Sequence, residues 1–143
     1  MKTTLGQLLD VKGPEVWSIG PDASVYQAIG AMAEKGIGLL LVLDLGKPVG
    51  VISERDYARK IILAGRSSRE TRVSEIMTRR IVYGRPGQSV QEALAVMTEN
   101  RFRHLPVIDG DRVLGIVSIG DLVKVVIDDQ QFRIEQLEGY ISS

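Results

Sequence analysis

The chain repeats itself. Shifted by 65 residues, positions 16–62 fall on positions 81–127 without a gap, and Pro21/Pro86, Ser24/Ser89, Ala28/Ala93, Met32/Met97, Gly50/Gly115, Ser53/Ser118 and Asp56/Asp121 are identical pairs. Most of the remaining pairs keep their apolar or polar character. A gapless register of this length means that both halves obey one folding solution, so an element read in one copy must be sought in the other. The echo richest in chemistry is GVISERD at residues 50–56 against GIVSIGD at residues 115–121, where Gly, an apolar pair, Ser and Asp recur with a different dipeptide before each Asp.

Each copy reads as strand, helix, strand, strand, helix. A short apolar segment (16–19 in one copy, 81–83 in the other) leads into a Pro-containing turn. Ser24 and Ser89 then precede Val25, Ala28, Ile29, Met32 and Val90, Ala93, Leu94, Met97, whose spacing is that of one helix face. Either serine can cap its helix, because a hydroxyl accepts one of the N–H groups that a helix start leaves unpaired. Aliphatic and β-branched runs at 38–43 and 48–52, and at 104–108 and 113–117, flank DLGK and DGDR turns and read as hairpins. Second helices begin at Asp56 and Asp121, and Leu5, Leu8, Leu9 match Val73, Ile76, Met77 as short lead-in helices before the two copies. So small a unit leaves an apolar helix face and a one-sided sheet uncovered, so two copies are expected to share burial. The expected division is 1–66 for the first repeat with its lead-in helix, 67–128 for the second, and 129–143 for a helical extension. In that extension Phe132, Ile134, Leu137 and Ile141 form an apolar stripe suited to docking, within the chain or between subunits.

Composition narrows the chemistry. A chain of 143 residues buries roughly two-thirds of its unfolded surface and needs no staples. There is no Cys and one His, His104, so disulfides and thiolate chemistry are excluded, and a metal centre or a Ser-His-Asp triad lacks partners at plausible spacing. Lys plus Arg balances Asp plus Glu at 18 each, so no overall field draws in nucleic acid or an anionic membrane. The longest apolar run, 37–45, is broken by Gly38 and Asp44 and falls short of the ~20 residues of a spanning helix. The first residues lack the apolar core of a secretory signal, and a cytoplasmic protein is the expectation. The GxxxxGK[ST], GxSxG and HExxH signatures are all missing from the sequence.

The paired GVISERD and GIVSIGD motifs, the RHLPVID stretch at 103–109 and the order of elements resemble a tandem CBS-domain pair, the Bateman module, and more narrowly the small stand-alone bacterial CBS-domain proteins. The resemblance spans nearly the whole chain. It implies an α/β (α+β) fold of two pseudo-twofold-related β-α-β-β-α repeats packed sheet to sheet, with a cleft offering two sites for adenosine-containing ligands, and a homodimer. It further implies that Asp56 and Asp121 accept hydrogen bonds from ribose hydroxyls and that Ser53 and Ser118 approach ribose or phosphate. Backbone groups around Val16, Trp17, Ile81, Val82, Leu105 and Pro106 would read the adenine edge. Basic residues at the positions of Arg103 and His104 reach toward phosphates in this family. The implied function is non-enzymatic: a signal-transduction sensor of AMP, ADP or ATP, or of the dinucleotide NAD. It would act through conformational or dimer changes, with a protein effector in trans and no nucleic-acid or membrane partner.

The residues suit that chemistry. An ionised carboxylate only accepts hydrogen bonds, and a ribose diol supplies two donors. Phosphate is favoured beside a helix N-terminus. The same Ser-x-x-Asp spacing at a strand-to-helix junction is also a cap, and capping can coexist with binding. Arg55 can offer its planar fork to a phosphate or join a solvated surface pairing with Glu54. Ile119 and Gly120 carry no charge, so the second copy would draw on Arg103, His104 or the neighbouring repeat, and the two sites are expected to be unequal. His104 can equally make a local hydrogen bond at a strand start. Two other classes stay open: a ligand-independent dimerisation scaffold with vestigial sites, and an enzyme using Asp56 or Asp121 as general base. A carboxylate that holds ribose is poorly placed for phosphate chemistry.

Overall fold

The structure, a computed structural model, describes residues 2–142. In chain order the elements are α1 (Leu5–Lys12), β1 (Ser18–Ile19), α2 (Val25–Lys35), β2 (Leu39–Asp44), β3 (Lys47–Ser53), α3 (Glu54–Tyr57), α4 (Val73–Ile76), α5 (Val90–Asn100), β4 (His104–Asp109), β5 (Arg112–Ser118) and α6 (Ile119–Ser142), and α3 runs on into a π-helical turn, Ala58–Ile62. This is the mixed α+β class read from the sequence, and the repeat order holds except for the first strand of the second copy.

The capping serines open the two amphipathic helices as expected. Ser24 Oγ accepts from the Gln27 N–H at 3.0 Å while Gln27 Oε1 accepts from the Ser24 N–H at 3.0 Å. Ser89 Oγ accepts from the Glu92 N–H at 3.1 Å. The two helices also end alike, on Gly36 at φ 66° and on Arg101 at φ 58°, both left-handed. Glycine takes that conformation without penalty, whereas Arg101 takes it with a Cβ in the way.

In the first copy β1 lies parallel to β2, with Ser18 opposite Leu41, and β2 pairs antiparallel with β3 from Leu39↔Ser53 to Asp44↔Lys47, with an irregularity between Val42 and Leu43. In the second copy β4 and β5 form a two-stranded sheet. The apolar segment 81–83, read as the counterpart of β1, is not a strand: the parallel pairing contracts to one bridge, Gly84↔Val107. The Gly84 N–H donates to Pro106 O at 2.8 Å and Gly84 O accepts from the Ile108 N–H at 2.9 Å. The bridge position requires a glycine, because a Cβ on Gly84 would lie 2.5 Å from Leu5 Cδ1 and 3.1 Å from Leu105 Cδ2.

The chain forms two units. One gathers Glu15–Val82 with Gly110–Val113, and the other gathers the chain up to Pro14, Tyr83–Asp109 and Leu114 onward. The core of the first holds Val25, Ala28, Met32, Leu40, Ile52 and, from α4 and the residue after it, Val73, Ile76 and Met77. In the second, Leu5, Leu8 and Leu9 of α1 are buried along with Val90, Ala93, Met97, Leu105, Ile116 and Leu122. The attachment is the same in both: the Val25 N–H donates to Thr71 O at 2.8 Å, and the Val90 N–H to Thr3 O at 2.9 Å. Helix α1 therefore belongs with the second repeat, not with the 1–66 segment in which the sequence reading placed it, and α4 belongs with the first. Short helices with one apolar face go where an uncovered helix-and-sheet face needs them, which need not be the nearest face along the chain.

Candidate functional site

Both Ser–Asp pairs sit where a strand ends and a helix begins, and both close on themselves. Ser53 Oγ accepts from the Asp56 N–H at 3.1 Å, and Asp56 Oδ2 accepts from the Ser53 N–H at 3.0 Å and the Ser53 hydroxyl at 3.1 Å. Ser118 Oγ accepts from the Asp121 N–H at 3.0 Å, and Asp121 Oδ2 accepts from the Ser118 N–H at 2.8 Å. Each is a reciprocal cap. The preceding carbonyls repeat too: Gly38 O accepts from the Glu54 N–H and Arg103 O from the Ile119 N–H, both at 3.0 Å, which anchors residue 103 beside the start of α6.

The glycine that opens each motif has a steric reason. A Cβ on Gly50 would lie 2.8 Å from Thr78 O and 2.9 Å from Met77 Sδ, and one on Gly115 would lie 2.7 Å from Leu9 Cδ2. The lead-in segments press on the motifs at this point.

Beyond the cap, the two carboxylates part company. Asp56 Oδ1 accepts from the Thr78 hydroxyl at 3.1 Å and meets the Lys60 ammonium at 3.0 Å. Both Asp56 oxygens are thus engaged, and the residue is 7% exposed. Arg55 beside it is exposed and joins no ion pair among the described residues. In the second copy Val125 stands in the place of Lys60. The cation comes instead from α1, as Lys12 Nζ donates to Asp121 Oδ2 at 2.6 Å and to Ile116 O at 2.7 Å. Asp121 Oδ1 has no hydrogen bond among the described residues, and the side chain is 29% exposed.

Charge gathers around Asp121. Burial alone would raise its carboxyl, but the hydrogen bond and charge of Lys12 together with the Ser118 N–H and hydroxyl outweigh that and hold it below the usual carboxylate value. Half-buried His104 is pushed down, first by desolvation and then by the charges of Lys12 and Arg103, against the pull of Asp121. Lys12, Arg103, His104 and Asp121 therefore share one electrostatic neighbourhood. Their donor set fits a diol hydrogen-bonded to the free Asp121 oxygen with an anion beside the cations.

The residues expected around adenine divide between the units: Val16, Trp17, Ile81 and Val82 fall in the unit of Ser53 and Asp56, and Leu105 and Pro106 in the unit of Ser118 and Asp121. The Trp17 carbonyl accepts from the Leu41 N–H at 3.0 Å and the Pro106 carbonyl from the Gly84 N–H at 2.8 Å, so both already serve sheet pairing. The Leu105 side chain is core. Lys12, Lys60 and Thr78 were not among the residues picked from the sequence. Lys60 lies four residues beyond Asp56, a helical spacing that could have revealed it. Lys12 is 109 residues from Asp121, and nothing local connects them. Among the described residues no group of three or more His, Cys, Asp or Glu side chains could hold a metal ion, and no helix is long and apolar enough to cross a membrane.

The two motif copies, their shared cap geometry and the exchanged lead-in helices define a module built from a tandem repeat. The CBS-domain profile matches residues 9–63 and 73–128, and the chain belongs to the CBS-domain family as a tandem pair. It is similar to a solved CBS-domain protein of signal-transduction type from Burkholderia ambifaria MC40-6, at 52% identity and a TM-score of 0.80 over 90% of this chain and 96% of that one. It is 38% identical to the mitochondrial CBS domain-containing protein CBSX3 of Arabidopsis thaliana over 97% of this chain and 72% of the relative. It is 30% identical to the CBS domain-containing protein YhcV of Bacillus subtilis over 82% of this chain and 84% of the relative. Members of the family are generally regulatory, non-catalytic modules and commonly bind adenosine nucleotides.

Proposed function

We propose that the protein is a non-enzymatic regulator that holds an adenosine-containing ligand, AMP, ADP or ATP or the dinucleotide NAD, at its Ser-x-x-Asp motifs, with the second motif the stronger site. The observation that carries this reading is the Asp121 Oδ1 that takes no hydrogen bond among the described residues, on a carboxylate paired with Lys12 at the start of α6, where the Arg103 carbonyl is anchored. Ribose hydroxyls donate to Asp121, Ser118 lies at the ribose or phosphate edge, and phosphate takes the cations. Leu105 and Pro106 border the adenine. At the first motif, Asp56 must exchange Thr78 or Lys60 for the ribose before Ser53 and Arg55 can contribute, with Val16, Trp17, Ile81 and Val82 toward the base, so that site binds more weakly. A ligand whose phosphate draws on Lys12 bears on α1, because Lys12 closes that helix. Signalling follows to the extent that the two arrangements bind the ligand unequally. The output passes through a homodimer or a protein effector in trans, with a cytoplasmic setting and no membrane or nucleic-acid partner.

Calorimetry and thermal melts with each nucleotide test this. Wild type and Asp56→Asn are expected to bind, and Asp121→Asn to lose at least tenfold in affinity. Ligand at a hundred times its dissociation constant stabilises by ~2.7 kcal/mol, a visible melting shift. The competing scaffold reading rests on the self-closed geometry of both Ser–Asp pairs, and it prevails if well-folded wild type binds none of these nucleotides.

A further inference from the structure

Helix α6 carries two different faces. Leu122 is buried and Val125, Val126 and Asp129 are half-buried. One position on from this face runs a second stripe of Val123, Ile127, Gln130, Ile134, Leu137 and Ile141, spaced alternately by four and three residues. Its five apolar members are 41, 58, 47, 62 and 81% exposed. At about 100° per residue the stripe lies roughly a quarter-turn away from the covered face. From residue 130 to 141 every residue is exposed. A free helical segment of that length is marginal in water, so its helicity calls for a partner surface.

The pattern says what that partner is. A seam of alternating threes and fours is the coiled-coil repeat. Ile127, Ile134 and Ile141 hold one class of seam position, and Val123, Gln130 and Leu137 the other. β-Branched residues at the first class with Leu at the second favour two parallel strands. Gln130 agrees, because in a parallel pair it meets its own copy and the two amides can bond, whereas antiparallel pairing would set it against Ile134. The seam borders agree as well. Parallel pairing brings Arg133 beside Glu138 of the partner subunit on both flanks, and antiparallel pairing on the same seam faces Arg133 with Arg133 of the partner subunit. We propose that α6 forms a parallel two-stranded coiled coil with a second copy of this chain, through residues 123–141.

The chain has no cysteine, so single introduced thiols give a clean test on residues 1–143 as a whole. Under mild oxidation Ile134→Cys is expected to yield a disulfide-linked dimer, and Phe132→Cys, on the outer side of the helix, is not. By light scattering, wild type is expected as a dimer, and the double variant Ile134→Asp/Leu137→Asp as a monomer at the same concentration, at least tenfold weaker in association, with reduced helical dichroism from the end of α6 and a retained cooperative melt of the two repeats. The proposal is overturned by a monomeric wild type, by a double variant that stays dimeric, or by Ile134→Cys linking only when mixed with Gln130→Cys, which would mean antiparallel strands. Nucleotide affinity does not enter any of these readouts.

Discussion

Two aspartates with the same sequence neighbourhood do different work at Asp56 and Asp121. Asp56 ties α3 to Thr78 and Lys60 while nearly sealed from water. Removing one partner of a buried pair costs about 3–5 kcal/mol. Lys60 can reach solvent once released, so Asp56→Ala is expected to cost roughly 2–3 kcal/mol in a urea titration. Asp121→Asn leaves a more exposed pair and should cost less than about 1 kcal/mol. The Asp121 carboxyl lies below its ordinary value, about 3.9, so its contribution is complete above that pH and is lost as pH falls through the lower folded value. His104 is also lowered, and there the folded state favours the neutral ring. Stability therefore falls as pH drops from about 6.5 toward the folded value. His104→Gln should flatten the stability profile across that window, and a nucleotide phosphate beside the ring should oppose the shift and bind more tightly at mildly acid pH. Arg101→Gly relieves the left-handed cap and is expected to raise stability by about 0.5–1 kcal/mol. The Ser–Asp pairs could be read in the sequence because a cap is local in the chain. The Lys12–Asp121 contact could not, because no spacing rule connects residues brought together only by α1 crossing to the other repeat.

At the scale of elements, hydrophobic period and capping chemistry carried the reading of α2, α5 and both hairpins, since those signals act within a few residues. The strand expected at 81–83 is absent, and the bridge that remains falls at Gly84, where Leu5 and Leu105 leave no room for a Cβ. The lead-in segments bear on the motif glycines, and this separates two variants. In Gly50→Ala the new methyl meets the Thr78 carbonyl, which is held by its bridge to Val51, whereas in Gly115→Ala it meets the Leu9 side chain, which can turn. Overpacking costs typically about 1–3 kcal/mol. Gly50→Ala is expected at the upper end and Gly115→Ala at the lower, by thermal melts of the two proteins side by side.

For the molecule as a whole, the sequence repeat and the folded units have different boundaries. A cut at 66/67 leaves each repeat without the short helix that covers its core: α4 stays with the second fragment although it packs in the first unit, and α1 stays with the first although it packs in the second. Fragments 1–66 and 67–143 should each show weak helical dichroism and no cooperative melt alone. Mixed at equal concentration, they should regain both, and recovery of a cooperative melt by either fragment alone would contradict the exchange.

The exchange also sets a clock on synthesis. Leu5, Leu8 and Leu9 leave the ribosome before either repeat, yet the residues that bury them extend to Leu122. At about 5–20 residues per second, that apolar helix waits on the order of 5–20 s for its docking face to be translated. During that interval the nascent chain exposes three leucines on a short helix with nothing yet made to cover them, which makes α1 a segment for a chaperone to shield.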